Sequence, residues 1–207
     1  TNVNTLLCTG ANLIEEYRLE IMRKMKIPVL NYYGLTETSG IVLAESSKHQ
    51  IFGYLPPACK GVKIHLKEIE TGKGVYELCI NSPNIFIGYL GEKLFKRKMF
   101  NTKDLVKQDK KMNLAILGRK DNRMKADNTE WIYPSLLEDW FKKQAYILDC
   151  VVNISIKNNK LEIEVLIDSN IQLKLLDIQQ EIINDLGIEY KPSSIYYATI
   201  LRNNLGK

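Results

Sequence analysis

The first apolar run, Thr5-Leu6-Leu7-Cys8, reads as a short strand closed by a Thr9-Gly10-Ala11 turn. Asn12 then predicts a helix N-cap, with Glu15 three residues on completing a capping box. Leu13, Ile14, Tyr17, Ile21 and Met25 repeat at helical spacing up to about Lys26. Pro28-Val29-Leu30 reads as a second buried strand, and the polar stretch 31–39 as the loop that leaves it. Strand, turn, helix and strand make one βαβ unit of a parallel sheet. Ligands of such sheets sit beyond the carboxyl ends of the strands. The 9–11 turn and the 31–39 loop are therefore expected to face one ligand.

The pattern changes from Ile51 to Gly118. Segments 62–66, 76–80, 85–89 and 114–117 are short and β-rich, with Gly, Pro, Asn and Lys between them. Glu70-Thr71-Gly72-Lys73-Gly74 is a turn signal, and the region predicts a small antiparallel sheet or barrel. Residues 121–130 are polar with no apolar period, which predicts a linker at a domain boundary. After it, Pro134 suits the first turn of a helix whose apolar side is Leu136, Leu137, Trp140 and Phe141. Strands 147–156 and 161–167 are joined by the hairpin signal Lys157-Asn158-Asn159-Lys160. Ile171, Leu175, Ile178, Ile182 and Leu186 mark one face of a further helix, closed by Gly187. Residues 194–200 read as a last strand.

Composition narrows the function classes. The 207 residues are 45% hydrophobic and 26% charged, which suits a globular chain of one or two domains. The net charge of +5 is spread in modest clusters, such as Lys93-Lys96-Arg97-Lys98. Aromatic residues are not interleaved with them as on a single-stranded nucleic-acid platform, so no nucleic-acid partner is expected. No apolar run approaches membrane-spanning length, so no membrane role is expected either. Cys8, Cys59, Cys79 and Cys150 form no Cys-x-x-Cys pair and read as free thiols of a reducing, cytoplasmic protein. Two histidines, His49 and His65, argue against a histidine relay.

The candidate chemistry lies in Asn31-Tyr32-Tyr33-Gly34-Leu35-Thr36-Glu37-Thr38-Ser39-Gly40. Gly34 permits a close backbone approach, Tyr33 a stacking face, and Thr36, Thr38 and Ser39 hydroxyls. Glu37 offers a carboxylate for Mg²⁺ beside phosphates. Chemistry alone says only "possible nucleotide site". Tyr33 to Thr38, however, resembles the signature loop of the adenylate-forming superfamily: acyl-CoA synthetases, nonribosomal-peptide adenylation domains and luciferases. Later blocks resemble the same family in order. They are Tyr76-Glu77-Leu78 through Gly88-Tyr89-Leu90, Thr102-Lys103-Asp104, Gly118-Arg119-Lys120-Asp121 and the closing Arg202 with Gly206-Lys207. The departures are Lys103, and Asn128-Thr129, where relatives carry glycine, and Leu201, Asn203 and Leu205 near the end.

The resemblance implies an α/β and α+β chain. Residues 1–119 would be the end of a large AMP-binding domain, a βαβ unit plus a small β-barrel. Residues 120–207 would be a small mobile lid domain after a hinge at Lys120-Asp121-Asn122. It implies ATP and Mg²⁺ as cofactors and a small carboxylic acid as substrate. The thiol acceptor would be CoA or the phosphopantetheine of an acyl or peptidyl carrier protein. Gly10, Ala11, Asn31, Tyr33, Gly34, Thr36, Asp104 and Arg119 would bind the nucleotide. Glu37 would hold the metal, and Thr36, Glu37 and Lys207 would serve adenylation. Gly88-Tyr89 is given a structural role. The family's upstream phosphate loop has no counterpart here, so the 207 residues are expected to be incomplete and inactive alone: a cut piece, a proteolytic product or one half of a split enzyme that needs its N-terminal part. The other reading is a non-catalytic descendant serving as a scaffold or carrier-docking module.

Overall fold

The computed structural model describes residues 3–94, 99–126 and 129–201. The chain divides into two compact units, Thr1–Lys120 and Asp121–Lys207.

In the first unit, β1 (Leu6–Cys8) pairs in parallel with β2 (Val29–Leu35), and helix α1 (Glu15–Met25) connects them. This is the expected βαβ unit. Its helix starts later than the Asn12 cap predicts. The backbone is still extended at Ile14 (φ −65°, ψ 123°), and that residue is the N-cap, with no side-chain bond. Glu15 and Glu16 instead place negative charge on the first turn, where the helix dipole favours it. The expected apolar stripe is only partly inward: Tyr17 and Met25 are 37% and 51% exposed, while the buried residue of the helix is Arg18.

β2 runs five residues past Leu30, so the first half of the expected 31–39 loop is strand. A 3₁₀ turn over Thr36–Thr38 folds it back antiparallel on β3 (Gly40–Ala44). Four antiparallel strands follow in the order β4 (Lys63–Glu70), β5 (Val75–Asn81), β6 (Met99–Gln108) and β7 (Leu114–Arg119). Val42 and Leu43 of β3 share a buried cluster with Leu78, Ile80 and Val106 of this sheet. Residues 85–89, expected as a strand, are irregular. The Phe86 amide donates to Glu37 of the 3₁₀ turn instead of to a ladder.

In the second unit, the expected linker 121–130 is a tight hairpin: β8 (Met124–Lys125) pairs with β9 (Trp131–Ile132). The Ala126 amide donates to Glu130 O at 2.8 Å, and the Arg123 guanidinium lies 3.8 Å over the Trp131 ring. Strands this short leave no period in the sequence. Helix α2 (Pro134–Lys142) has Pro134 in its first turn and buries Leu137, Trp140 and Phe141. β10 (Ile147–Lys157) and β11 (Lys160–Ser169) form a hairpin with Asn158 and Asn159 both at positive φ, the backbone of a type I′ turn. Helix α3 (Leu175–Asp185) buries Ile178 and Ile182, leaving Ile171 outside it. β12 (Ser194–Tyr197) joins β11 in parallel. Among the described residues no helix is long and apolar enough to cross a membrane. All four cysteines are free thiols, with Cys79 and Cys150 buried.

Candidate functional site

The signature stretch is held by backbone geometry more than by hydroxyls. A Cβ on Gly34 would meet the Gly40 carbonyl oxygen at 2.2 Å, so only glycine lets β2 and β3 approach here. Thr38 is not available as a phosphate ligand. Its buried Oγ1 accepts the Leu35 amide at 2.9 Å and lies 2.7 Å from the Gly40 carbonyl and 2.9 Å from that of Leu35. Thr36 and Ser39 remain exposed on the turn.

The next block supplies the centre of the site. Between the pairs Asn101↔Cys79 and Leu105↔Glu77, β6 carries more residues than β5, so Thr102, Lys103 and Asp104 form a bulge. Lys103 takes φ 63°. The left-handed conformation that glycine would favour is therefore kept by a lysine. The flanking side chains turn inward: Thr102 is 2% exposed and Asp104 8%. The Thr102 hydroxyl donates to Leu78 O at 2.8 Å and accepts the Asp104 amide at 3.0 Å. Arg119 is the cross-strand partner of Asp104 on β7. Its Nη1 donates to Asp104 Oδ1 at 3.0 Å and to Thr102 O at 2.7 Å. From β2, the Tyr33 hydroxyl donates to Asp104 Oδ2 at 2.5 Å. Burial first, then the Asp104 charge, pushes the Tyr33 phenol well above its ordinary pKa. Tyr33, Asp104 and Arg119, separate in sequence, thus meet in one hydrogen-bonded cluster. Each Asp104 oxygen has one described donor and lone-pair capacity for another.

The other expected residues lie around this cluster. Glu37 is half-buried on the 3₁₀ turn, and its Oε1 accepts the Tyr89 hydroxyl at 2.6 Å. That bond raises the Tyr89 phenol, while the Arg119 charge opposes it. Among the described residues no three His, Cys, Asp or Glu side chains converge into a metal cage. Magnesium at nucleotide sites keeps waters and phosphate oxygens and needs only one or two protein carboxylates. Glu37 fits that single-carboxylate role. Gly10 and Ala11 form an exposed bend just past Cys8, which registers with Asn31. Both segments therefore share the carboxyl end of the parallel pair. Lys207, with Arg202, Gly206 and Asn128, lies outside the described residues; the described Thr129 of that loop takes a positive φ of 70°.

Three residues were missed in the sequence. Glu45 at the end of β3 accepts the Asn31 and Ile51 amides, each at 2.7 Å. It also pairs with Arg18 of α1 at 2.5 Å, both side chains fully buried. Arg18 stacks 4.3 Å over the Phe52 ring, while its buried Nε has no hydrogen-bond partner among the described residues. Tyr89, expected to be structural only, touches Glu37. The available signal for the ion pair was Arg18 lying within the Ile14–Ile21 stripe. A charge on an apolar face announces a buried partner.

Residues 1–90 match the model of the AMP-binding enzyme family. A long-chain-fatty-acid–CoA ligase (ACSBG2) of Xenopus laevis is 29% identical over 172 residues, 79% of this chain and 23% of its own. The peroxisomal long chain acyl-CoA synthetase 6 of Arabidopsis thaliana is 23% identical over 73% of this chain and 24% of its own. The chain thus spans about a quarter of these curated relatives. Among solved structures, a benzoate CoA ligase from Burkholderia xenovorans superposes with a TM-score of 0.85 at 15% identity, covering 99% of this chain and 44% of that one. The O-succinylbenzoate CoA synthetase of Bacillus subtilis, in complex with ATP and magnesium, gives 0.82 at 18%, covering 98% and 44%. The signature strand, the Asp104 bulge and these likenesses together support a fragment of the adenylate-forming enzyme superfamily, with residues 1–90 carrying the match to its AMP-binding model.

Proposed function

We propose that these residues form part of an ATP-dependent acid–thiol ligase. A carboxylate oxygen attacks the α-phosphorus of ATP, the bond to pyrophosphate breaks, and an acyl-adenylate results. A thiolate then attacks the acyl carbon and AMP leaves. CoA is the acceptor that the likeness to CoA ligases favours, with a carrier-protein phosphopantetheine as the alternative. The observation that carries this reading is the Tyr33–Asp104–Arg119 cluster. Two remaining lone-pair positions on Asp104 suit the two vicinal hydroxyls of a ribose, and Arg119 holds the carboxylate aimed. Tyr33 presents its ring to adenine, Asn31 reaches the base edge, and Gly10, Ala11 and Gly34 let the nucleotide approach the backbone. Thr36 and Glu37 face the phosphates, where bound Mg²⁺ supplies charge neutralisation. Lys207 serves the acyl carboxylate and phosphate during adenylation.

In this reading 1–119 is the end of the large domain and 120–207 a lid that turns between the half-reactions. The phosphate loop comes from an upstream segment of the same protein, and the free thiols fit a reducing compartment such as the cytoplasm. The test uses the complete protein. Asp104→Ala should weaken ATP binding at least about tenfold, the size of one lost charge-assisted contact set. Lys207→Ala should suppress carboxylate-dependent pyrophosphate exchange far more than acyl transfer from a preformed adenylate. Wild-type ATP affinity in Asp104→Ala would refute the nucleotide site. A complete protein that binds ATP yet shows no exchange with any carboxylate would favour the non-catalytic scaffold.

A further inference from the structure

The segment after β5 returns to the signature turn and grips it at two points. The Phe86 amide donates to the Glu37 carbonyl oxygen at 2.8 Å, and the Tyr89 hydroxyl donates to Glu37 Oε1 at 2.6 Å. Gly88, at φ 143°, gives the backbone between these two contacts a conformation that side chains disfavour. The Phe86 ring meets the Tyr89 ring edge to face at 4.8 Å and the Phe100 ring of β6 at 5.7 Å and 89°. An aromatic ladder therefore runs from the sheet that carries Asp104 to the carboxylate of Glu37. Tyr89 is 52% exposed, so burial is not what fixes it; the ladder and the carboxylate bond are. With Oε1 held, the Glu37 side chain cannot rotate freely, and Oε2 has no protein donor among the described residues.

We propose that Tyr89 is a positioning residue for Glu37. It fixes one carboxylate oxygen so that the other is presented to the divalent cation of a nucleotide–metal complex. This rests on the reading of Glu37 given above. Partners that orient a metal-binding carboxylate typically change metal affinity by about 10–100-fold when removed. The bond spans 52 residues of sequence, so nothing local to the turn would replace it.

The experiment compares wild type, Tyr89→Phe and Glu37→Gln in the complete protein. Manganese binding in the presence of a non-hydrolysable ATP analogue is followed by the free-Mn²⁺ electron paramagnetic resonance signal. Tyr89→Phe keeps the ring contacts with Phe86, so its thermal midpoint should match wild type while its metal affinity falls about tenfold. Analogue binding without metal should be unchanged in it. If Glu37→Gln loses metal affinity and Tyr89→Phe does not, the positioning role is wrong and the Glu37 reading stands. If Glu37→Gln binds metal as wild type does, the Glu37 reading itself fails and takes this inference with it. A Tyr89→Phe protein whose thermal midpoint drops in step with its metal affinity would make the bond merely structural and overturn the proposal.

Discussion

Arg18→Met tests how the start of the signature strand is held. Arg18 and Glu45 have side-chain exposures of 2% and 0%. The guanidinium donates to both carboxylate oxygens, at 3.1 and 2.5 Å, and those oxygens also accept the Ile51 and Asn31 amides. Arg18→Met leaves the carboxylate buried with its amide donors but without a countercharge. Breaking such a pair from one side costs about 3–5 kcal/mol, a large share of a typical total of about 5–15 kcal/mol. Adding Glu45→Gln should relieve much of this. The charge disappears, the amide oxygen still accepts one backbone N–H, and the remaining orphan costs about 1–3 kcal/mol. The double variant should therefore be about 2 kcal/mol more stable than Arg18→Met alone. Urea denaturation of the wild type and all three variants closes the cycle. Two results would refute the reasoning: a loss below about 1 kcal/mol for Arg18→Met, the size of an exposed pair, or a double variant less stable than the single one.

Other consequences are as direct. Lys103→Gly should raise stability by up to about 1 kcal/mol, the left-handed penalty of a side chain less the added unfolded-state entropy; a lower denaturation midpoint would show that the lysine side chain matters more than its backbone. The Tyr33 phenol is raised above its ordinary value of 10.0, so the stability it contributes is complete below pH 10 and is lost as pH climbs above that towards the folded value. Above pH 10, wild type should therefore lose about 1.4 kcal/mol per pH unit more than Tyr33→Phe; parallel alkaline curves would contradict it. Asp121→Pro, which restricts φ at the first residue of the second unit, should impair one half-reaction more than the other in the complete protein; wild-type rates in both would place the hinge elsewhere.

Features settled within a few residues were legible. The βαβ unit showed in its apolar periods, and the Asn158-Asn159 turn showed because two adjacent asparagines tolerate positive φ. Two of the missed elements share a cause: their bonding is not local. Strand β6 carries no clean alternation because the bulge at Thr102–Asp104 breaks its register. Segment 85–89 looks β-rich, yet its amide at Phe86 goes to Glu37, far back in the chain. Asn12 has the right neighbours for a cap, but the backbone remains extended two residues beyond it.

The site divides along the same line. Tyr33, Asp104 and Arg119 were found through motif resemblance, and the structure gives the physical reason they travel together. A bulge with a left-handed residue at Lys103 is needed to aim Asp104 at both Tyr33 and Arg119. Glycine is the cheapest residue there, which is why a lysine looked like a departure. The conformation survived the substitution because it is fixed from outside Lys103, by the Thr102 hydroxyl on Leu78 and by Arg119 on Thr102. A residue's identity at a strained position is therefore weaker evidence than the bonds that enforce the strain. Those bonds join residues 17 and 24 positions apart, and no single-sequence pattern records them. The same holds for Glu45 and Tyr89. Neither belongs to the signature stretch, yet one holds the Asn31 backbone and the other the Glu37 carboxylate. A motif marks the groups that meet a ligand, and the groups that aim them are recoverable only from the fold.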